Sequence, residues 1–394
     1  MNIIVNKICI IQYNKYNLQI RDRFPRIFFL NLLTKRLEQK GYTVILLKSD
    51  YPKMINEILE KYNKIELLLN FEDYYIRFSR EFHSELNLQD VYQFYKVLEK
   101  TGTKIYPPPD FHIYTNSKTY ALEMYKHSEY ILPHSKTYLL KKSVEKNNLI
   151  WKSMIEHLLT LKKICDCTVI KVGYSADMKD VYFINNNSSD LLKNKLSEDI
   201  PPTQIIDFNV INDLEVIRKL YNEYIEYDKL DLVVIIQPYN KIVANRETEY
   251  RMWYIDGTFI GYFCYGIIKN KEGKVIKLLN NEMYNYENKI HNNLLHLGNK
   301  LYNFINKEIK KVMNDPDFKI IALRLDMSYA VETIFQDKYS VKINNENYRF
   351  YCNEMENIDG TFYLNLPIKN TKINKINDNS KIQYKLVDLL IKYS

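Results

Sequence analysis

Charged residues stand at the ends of several strand-like runs of this sequence. Lys171 follows the strand-forming residues Thr-Val-Ile at 168–170, and Asp326 and Glu354 each follow a hydrophobic run in the C-terminal part. Lysine offers a point charge to phosphate, and carboxylates are oxygen ligands that Mg²⁺ takes in proteins. Because charged side chains are seldom fully buried, we expect them to face a cleft. The pattern therefore predicts a site for a nucleotide and a metal ion.

Two residue pairs have a structural interpretation beside the functional one. Glu249 and Arg251 lie two apart on a predicted strand and therefore share a face, where a surface ion pair contributes only about 0–1 kcal/mol. Asp326 is likewise two residues from Arg324, and an ion pair between them is the structural interpretation. In the functional interpretation, Arg251 offers a planar fork to a phosphoryl group. Glu249 would then orient Arg251 or accept hydrogen bonds from ribose hydroxyls.

A lysine and a small-residue loop form a second group of candidates. Lys118 follows residues 116–117, Asn-Ser, which we predict to cap a helix. A lysine at a helix N-terminus is unfavourable unless an anion binds there, although a solvated surface lysine is the structural alternative. Gly173 and Ser175 follow the strand of Lys171, and small residues let backbone N–H groups approach a phosphate.

The central stretch of the chain predicts a buried strand. Residues 232–239 read LVVIIQPY, and the β-branching of this run is typical of a strand covered on both faces. Farther along, Asp256 and Gly257 predict a two-residue hairpin turn just beyond Arg251. The sequence thus places Arg251 on a hairpin that follows a buried strand.

The elements that would position these residues fall into three predicted domains. Strand and helix signals alternate over residues 7–110, which is typical of a parallel, doubly wound α/β sheet. The prolines at 107–109 break that pattern. We therefore predict an N-terminal α/β domain at residues 1–110, a central subdomain at 111–238, and a C-terminal α+β subdomain with the metal-binding acids at 239–394.

Composition narrows the class of protein. A formal net charge of +8 suits polyanionic partners, but no basic cluster or nucleic-acid motif stands out. The five cysteines form no CxxC pair, which argues against a disulfide framework or a structural zinc site. No run reaches the ~18 apolar residues of a membrane span, and the first residues do not resemble a signal peptide. We expect a cytoplasmic protein with no membrane or specific nucleic-acid partner; the sequence does not indicate its oligomeric state.

Taken in order, the motifs resemble those of the ATP-grasp superfamily over roughly residues 105–365. Members carry a first lysine after a proline-containing strand, a second lysine before a small-residue loop, and a hinge strand against adenine. An acid-x-arginine element and a metal-binding Asp and Glu-x-Asn follow. The resemblance implies that ATP is contacted by Lys118, Lys171, Gly173, Ser175, Gln237, Pro238, Tyr239 and Glu249, that Arg251 is catalytic, and that Mg²⁺ is held by Asp326, Glu354 and Glu356.

Three features depart from the family pattern. Residues 177–180 are Asp-Met-Lys-Asp where glycines are common, and position 356 is Glu where Asn is usual. The stretch between Asp326 and Glu354 is longer than in many members, so we expect an insertion over residues 328–347. The added charge of Glu356 is tolerable beside metal ions but not in an uncompensated site.

The resemblance implies an α/β fold in which an N-terminal parallel domain precedes a two-subdomain ATP-grasp unit. It also implies an ATP-dependent ligase that converts a carboxylate to an acylphosphate, joins it to an amine and releases ADP. Small-molecule or peptide carboxylates and amines are the expected substrates, but the sequence does not identify them. The alternative is a non-catalytic ATP-binding module or assembly chaperone with the same fold.

Overall fold

A computed structural model describes the chain in segments separated by gaps. The described residues are 7–12, 23–47, 51–71, 87–142, 147–174, 181–190, 193–194, 202–208, 215, 217–219, 221–227, 230–240, 249–265, 267–269, 275–278, 287–331, 338–343, 345–357 and 379–393. None of the helices in these segments is long and apolar enough to cross a membrane.

The N-terminal part is a parallel sheet with the strand order β2-β1-β3-β4. Its elements are β1 (Lys7–Gln12), α1 (Arg23–Gln39), β2 (Tyr42–Leu47), α2 (Tyr51–Tyr62), β3 (Leu67–Asn70), α3 (Leu88–Lys100) and β4 (Lys104–Tyr106). Because strand side chains alternate, Ile10 packs with Tyr95 of α3 on one face, and Ile11 packs with Leu33 of α1 on the other. The prediction of a parallel α/β unit is confirmed.

A second sheet has the order β5-β9-β6-β7-β8. The elements from the first sheet onward are α4 (Pro109–Asn116), α5 (Tyr120–Met124), β5 (Lys136–Leu140), α6 (Asn148–Ile164), β6 (Cys167–Val172), β7 (Tyr182–Asn185), β8 (Ile205–Asp207) and β9 (Leu232–Pro238). Every residue of β9 is buried, as predicted, because β9 lies between β5 and β6. One face of β9 packs Val234 with Leu158 of α6, and the other face packs Val233 in a second core.

The third sheet is antiparallel, with the order β11-β10-β14-β16-β15. Its part of the chain contains β10 (Glu249–Ile255), β11 (Thr258–Tyr265), β12 (Ile267–Lys269), β13 (Val275–Leu278), α7 (Glu287–Val312), β14 (Ala322–Val331), β15 (Val341–Ile343) and β16 (Glu346–Glu356). Asp256 and Gly257 have φ angles of 50° and 73° between β10 and β11, which confirms the predicted hairpin turn. Within the region of the expected insertion, the structure describes the end of β14, β15 and the start of β16.

Two segments pack outside the domain ranges that the sequence predicts. Helix α8 (Asn379–Tyr393) returns to the first sheet, where Leu390 packs with Leu33 and Lys40 Nζ donates to the carbonyl of Ile391 at 2.9 Å. Helices α4 and α5 contribute Phe111 and Tyr120 to the core of the third sheet. The bounds at residues 110 and 238 stay a prediction.

Candidate functional site

The register of the third sheet brings the predicted acids together. Arg251 on β10 lies opposite Asp326 on β14, and Asp326 lies opposite Glu354 on β16. In the neighbouring row, Arg324 lies opposite Glu356. One carboxylate oxygen from each of Asp326, Glu354 and Glu356 lies within 4.8 Å of the other two. This set of oxygen donors fits Mg²⁺, which usually takes one or two protein carboxylates together with phosphate and water.

Arg324 is a site residue to which the sequence assigned only an ion pair. Its Nε and Nη2 donate to Oδ1 and Oδ2 of Asp326 at 2.7 and 2.8 Å, and Nη2 also lies 2.6 Å from Oε1 of Glu356. Its guanidinium carbon is 5.6 Å from the centroid of the Trp253 ring. Burial alone would raise the pKa of Asp326, but the charges of Arg324 and Arg251 outweigh burial and lower it. Arg324 thus keeps Asp326 ionised.

Glu249 and Arg251 form the ion pair that their spacing predicts. Arg251 Nε lies 3.2 Å from Oε1 of Glu249 and 4.0 Å from Oδ2 of Asp326. Burial and the charge of Asp326 raise the pKa of Glu249 to about 7. The Arg251 side chain keeps 22 % of its surface exposed, so the two acids do not enclose it completely. The structural interpretation, an ion pair, is therefore compatible with a place for Arg251 beside the cluster of acids.

The predicted cap at residues 116–117 is wrong, and the next helix, α5, begins at Tyr120, two residues after Lys118. Helix α4 begins earlier, at Pro109, where proline suits the first helical position, and it ends at Asn116. Lys118 follows with a left-handed φ of 55°, so it connects α4 to α5 instead of opening a helix. Its Nζ nonetheless lies 2.5 Å from Oε1 of Glu354, from which it is separated by 236 positions in the chain. Lys118 therefore lies beside the cluster of acids, although it does not stand in the first turn of a helix.

Lys171 lies near the end of β6, as predicted, and reaches the same strand as Lys118 does. Its Nζ donates to Oδ1 of Asn353 at 2.6 Å. Burial lowers the pKa of Lys171, and the charge of Glu354 acts in the opposite direction. The two predicted lysines thus contact adjacent residues of β16.

Gly173 is required by backbone packing. A Cβ atom at Gly173 would lie 2.2 Å from the carbonyl oxygen of Ser117, so no other residue fits there without a backbone shift. The glycine lets the strand of Lys171 approach the turn that carries Lys118. The role of Gly173 toward a phosphate stays a prediction, and Ser175 lies outside the described residues.

The predicted adenine strand ends beside β6. Gln237 and Pro238 are buried, and the Gln237 side chain accepts a hydrogen bond from the hydroxyl of Tyr125 at 3.2 Å. The backbone N–H of Tyr239 donates to the carbonyl of Cys167 at 2.9 Å. The contacts of these three hinge residues with adenine stay a prediction.

Comparison with known proteins finds no matching family model and no matching curated protein. Among solved structures, D-cycloserine synthetase DcsG aligns with a TM-score of 0.48 and 11% identity over 96% of this chain and 99% of that chain. D-alanine–D-alanine ligase from Bacillus anthracis complexed with ATP aligns with a TM-score of 0.46 and 13% identity over 98% and 96%. ATP-grasp ligase PsnB complexed with a minimal precursor aligns with a TM-score of 0.44 and 10% identity over 99% of both chains. At this level of similarity the alignments carry no argument about function, which has to be argued from the site.

Proposed function

We propose that this chain is an ATP-grasp ligase that joins a carboxylate to an amine at the expense of ATP. The observation that supports it is that basic side chains suited to phosphate and acidic side chains suited to a metal ion converge at one place. Lys118 contacts Glu354, Lys171 contacts the neighbouring Asn353, and Arg251 lies opposite Asp326. These contacts join residues that are far apart in the chain, as a site at the meeting of several elements requires.

The acids fit a divalent cation. Asp326, Glu354 and Glu356 would hold Mg²⁺, because their oxygens converge within 4.8 Å and Asp326 is kept ionised. When bound, the ion supplies positive charge that polarises phosphate oxygens. Lys118 and Lys171 would bind oxygens of the same nucleotide as point charges. Glu356 is accommodated where an uncharged residue is usual because Arg324 lies 2.6 Å from it.

The proposed reaction has two steps. A carboxylate oxygen of the first substrate attacks the γ-phosphorus of ATP, the bond from that phosphorus to the β–γ bridging oxygen breaks, and ADP leaves. The amine then attacks the carbonyl carbon of the acylphosphate, inorganic phosphate leaves, and the nitrogen of the new C–N bond releases a proton to solvent. Arg251 would stabilise the charge that gathers on the transferring group, and Arg324 would hold Asp326 in place.

Release of phosphate tests this proposal. The protein is incubated with ATP, Mg²⁺ and a pool of amino acids and short peptides, and phosphate and ADP are measured. Glu354→Gln keeps the shape of the side chain and removes its charge, so we expect it to abolish release while ATP affinity falls only modestly. Glu346→Gln, an exposed residue at the other end of β16, is the matched control and stays active.

The same variants address the non-catalytic alternative. An assembly reaction that requires ATP binding yet survives Glu354→Gln would identify a chaperone and overturn the ligase.

Glu356→Asn replaces the charge by the residue usual in the family, and we expect this variant to retain ligase activity.

A further inference from the structure

Strand β16 contains an irregularity beside the acid cluster. Asp326 of β14 pairs with Glu354, but the next residue, Met327, pairs with Cys352. Asn353 is therefore an extra residue that opposes nothing on β14. Such a β-bulge bends its strand locally and re-aims side chains.

The bulge explains how two adjacent residues serve one site. In a regular strand, neighbouring side chains point to opposite faces. Here Glu354 contacts Lys118 and Asn353 contacts Lys171. One short stretch of β16 therefore holds both lysines that the sequence singles out.

The two lysines are held by partners of different charge. Lys118 faces a carboxylate at 2.5 Å, whereas Lys171 faces the neutral amide oxygen of Asn353 at 2.6 Å. Within the described segments, no carboxylate lies within ion-pair distance of Lys171 Nζ. An amide oxygen satisfies one N–H of an ammonium group without cancelling its charge.

We propose that Asn353 is the positioning residue of Lys171, which it fixes in the site while leaving the positive charge available to the phosphates of a nucleotide. This inference rests on the proposed function, since it assumes that Lys171 meets a nucleotide. A carboxylate at position 353 would position the ammonium group of Lys171 equally well, but its negative charge would offset the positive charge of the lysine. An apolar residue would leave the half-buried ammonium group of Lys171 without this hydrogen bond.

Binding of the non-hydrolysable analogue AMP-PNP with Mg²⁺ tests the inference by calorimetry. We expect Asn353→Asp to weaken binding at least about tenfold, because the new charge pairs with Lys171. Asn347→Asp places the same charge near the start of β16 and should bind as wild type does. In a Lys171→Met background, Asn353→Asp should have little further effect, because Asn353 acts through the lysine.

A second measurement does not depend on a nucleotide. Urea unfolding of Asn353→Ala, Lys171→Met and the double variant should show non-additive losses of stability, since the two side chains share a hydrogen bond. Additive losses, or wild-type affinity of Asn353→Asp for AMP-PNP, would overturn the positioning role even if the chain binds nucleotide. Non-additive losses in a protein that binds no nucleotide would support the contact and instead remove the proposed function.

Discussion

Arg324 and Asp326, two residues apart on β14, are joined by two hydrogen bonds of 2.7 and 2.8 Å, and each is only 2 % exposed. Asp326 of this buried pair is one of the three candidate metal ligands, and Arg324 also contacts a second one, Glu356. A buried ion pair contributes little net stability relative to apolar residues, but removal of one partner leaves an uncompensated charge. The pair therefore links the stability of the third sheet to the charge balance of the site.

Replacement of Arg324 should destabilise the protein more than replacement of Arg251. Arg324→Met leaves Asp326 buried without its principal partner, so we expect a loss of about 3–5 kcal/mol in the free energy of unfolding. Arg251→Met should cost less, because its side chain is more exposed and Asp326 keeps Arg324. Urea unfolding of both variants measures the difference, and equal losses would contradict the assigned roles.

Two glycines provide a matched test of backbone packing. Gly173→Ala would force a Cβ against the backbone carbonyl of Ser117, and we expect a loss of about 2–3 kcal/mol in the free energy of unfolding together with weaker ATP binding. Gly298→Ala would instead meet side-chain atoms, Cε and Sδ of Met252 at 2.6 and 2.7 Å and the hydroxyl of Tyr254 at 2.9 Å, while alanine favours the helix. Because side chains give way more readily than backbone, thermal unfolding should show a smaller loss for Gly298→Ala than for Gly173→Ala. A larger loss for Gly298→Ala than for Gly173→Ala would refute this interpretation.

Sequence patterns predicted the strands that carry the site because burial and β-branching are local properties. The run 232–239 and the turn at Asp256 and Gly257 are examples. The spacing of Arg324 and Asp326 likewise predicted their ion pair. From the sequence such an ion pair is an alternative to function, but in the structure it lies inside the candidate site.

Tertiary contacts account for what the sequence did not predict. Asn116, which the sequence suggests as a cap, is the last residue of α4, and its carbonyl accepts a hydrogen bond from the backbone N–H of Tyr174 at 2.6 Å. The need for Gly173 arises from Ser117, far away in the chain. The bulge at Asn353 depends on the register with β14, which no pattern within β16 shows.

Acid should destabilise the protein through His157, which lies outside the site. Its Nε2 contacts the carbonyl of His134 at 2.7 Å, and burial lowers its pKa to about 4. An unfolded histidine has a pKa of about 6.5, so the unfolded chain binds a proton that the native protein does not. Stability from this group is thus present above pH 6.5 and falls as the pH is lowered from about 6.5 to about 4, by up to about 1.4 kcal/mol per pH unit.

Urea unfolding across this pH range measures the effect. His157→Gln should flatten the dependence, whereas His127→Gln, at an exposed position, should leave it unchanged. An unchanged slope in His157→Gln would show that other groups control acid stability.

Calorimetric titration of wild type, Lys118→Ala and Lys171→Ala with ATP and Mg²⁺ tests the central claim most directly. We expect wild type to bind ATP, and each variant to bind more weakly while it still unfolds cooperatively, because each change removes a charge that would meet the phosphates. At one hundred times the Kd, ATP should stabilise wild type by about 2.7 kcal/mol, which gives an independent check in a melt. Absence of binding at millimolar ATP, or unchanged affinity in both variants, would contradict the nucleotide site on which the proposed ligase depends.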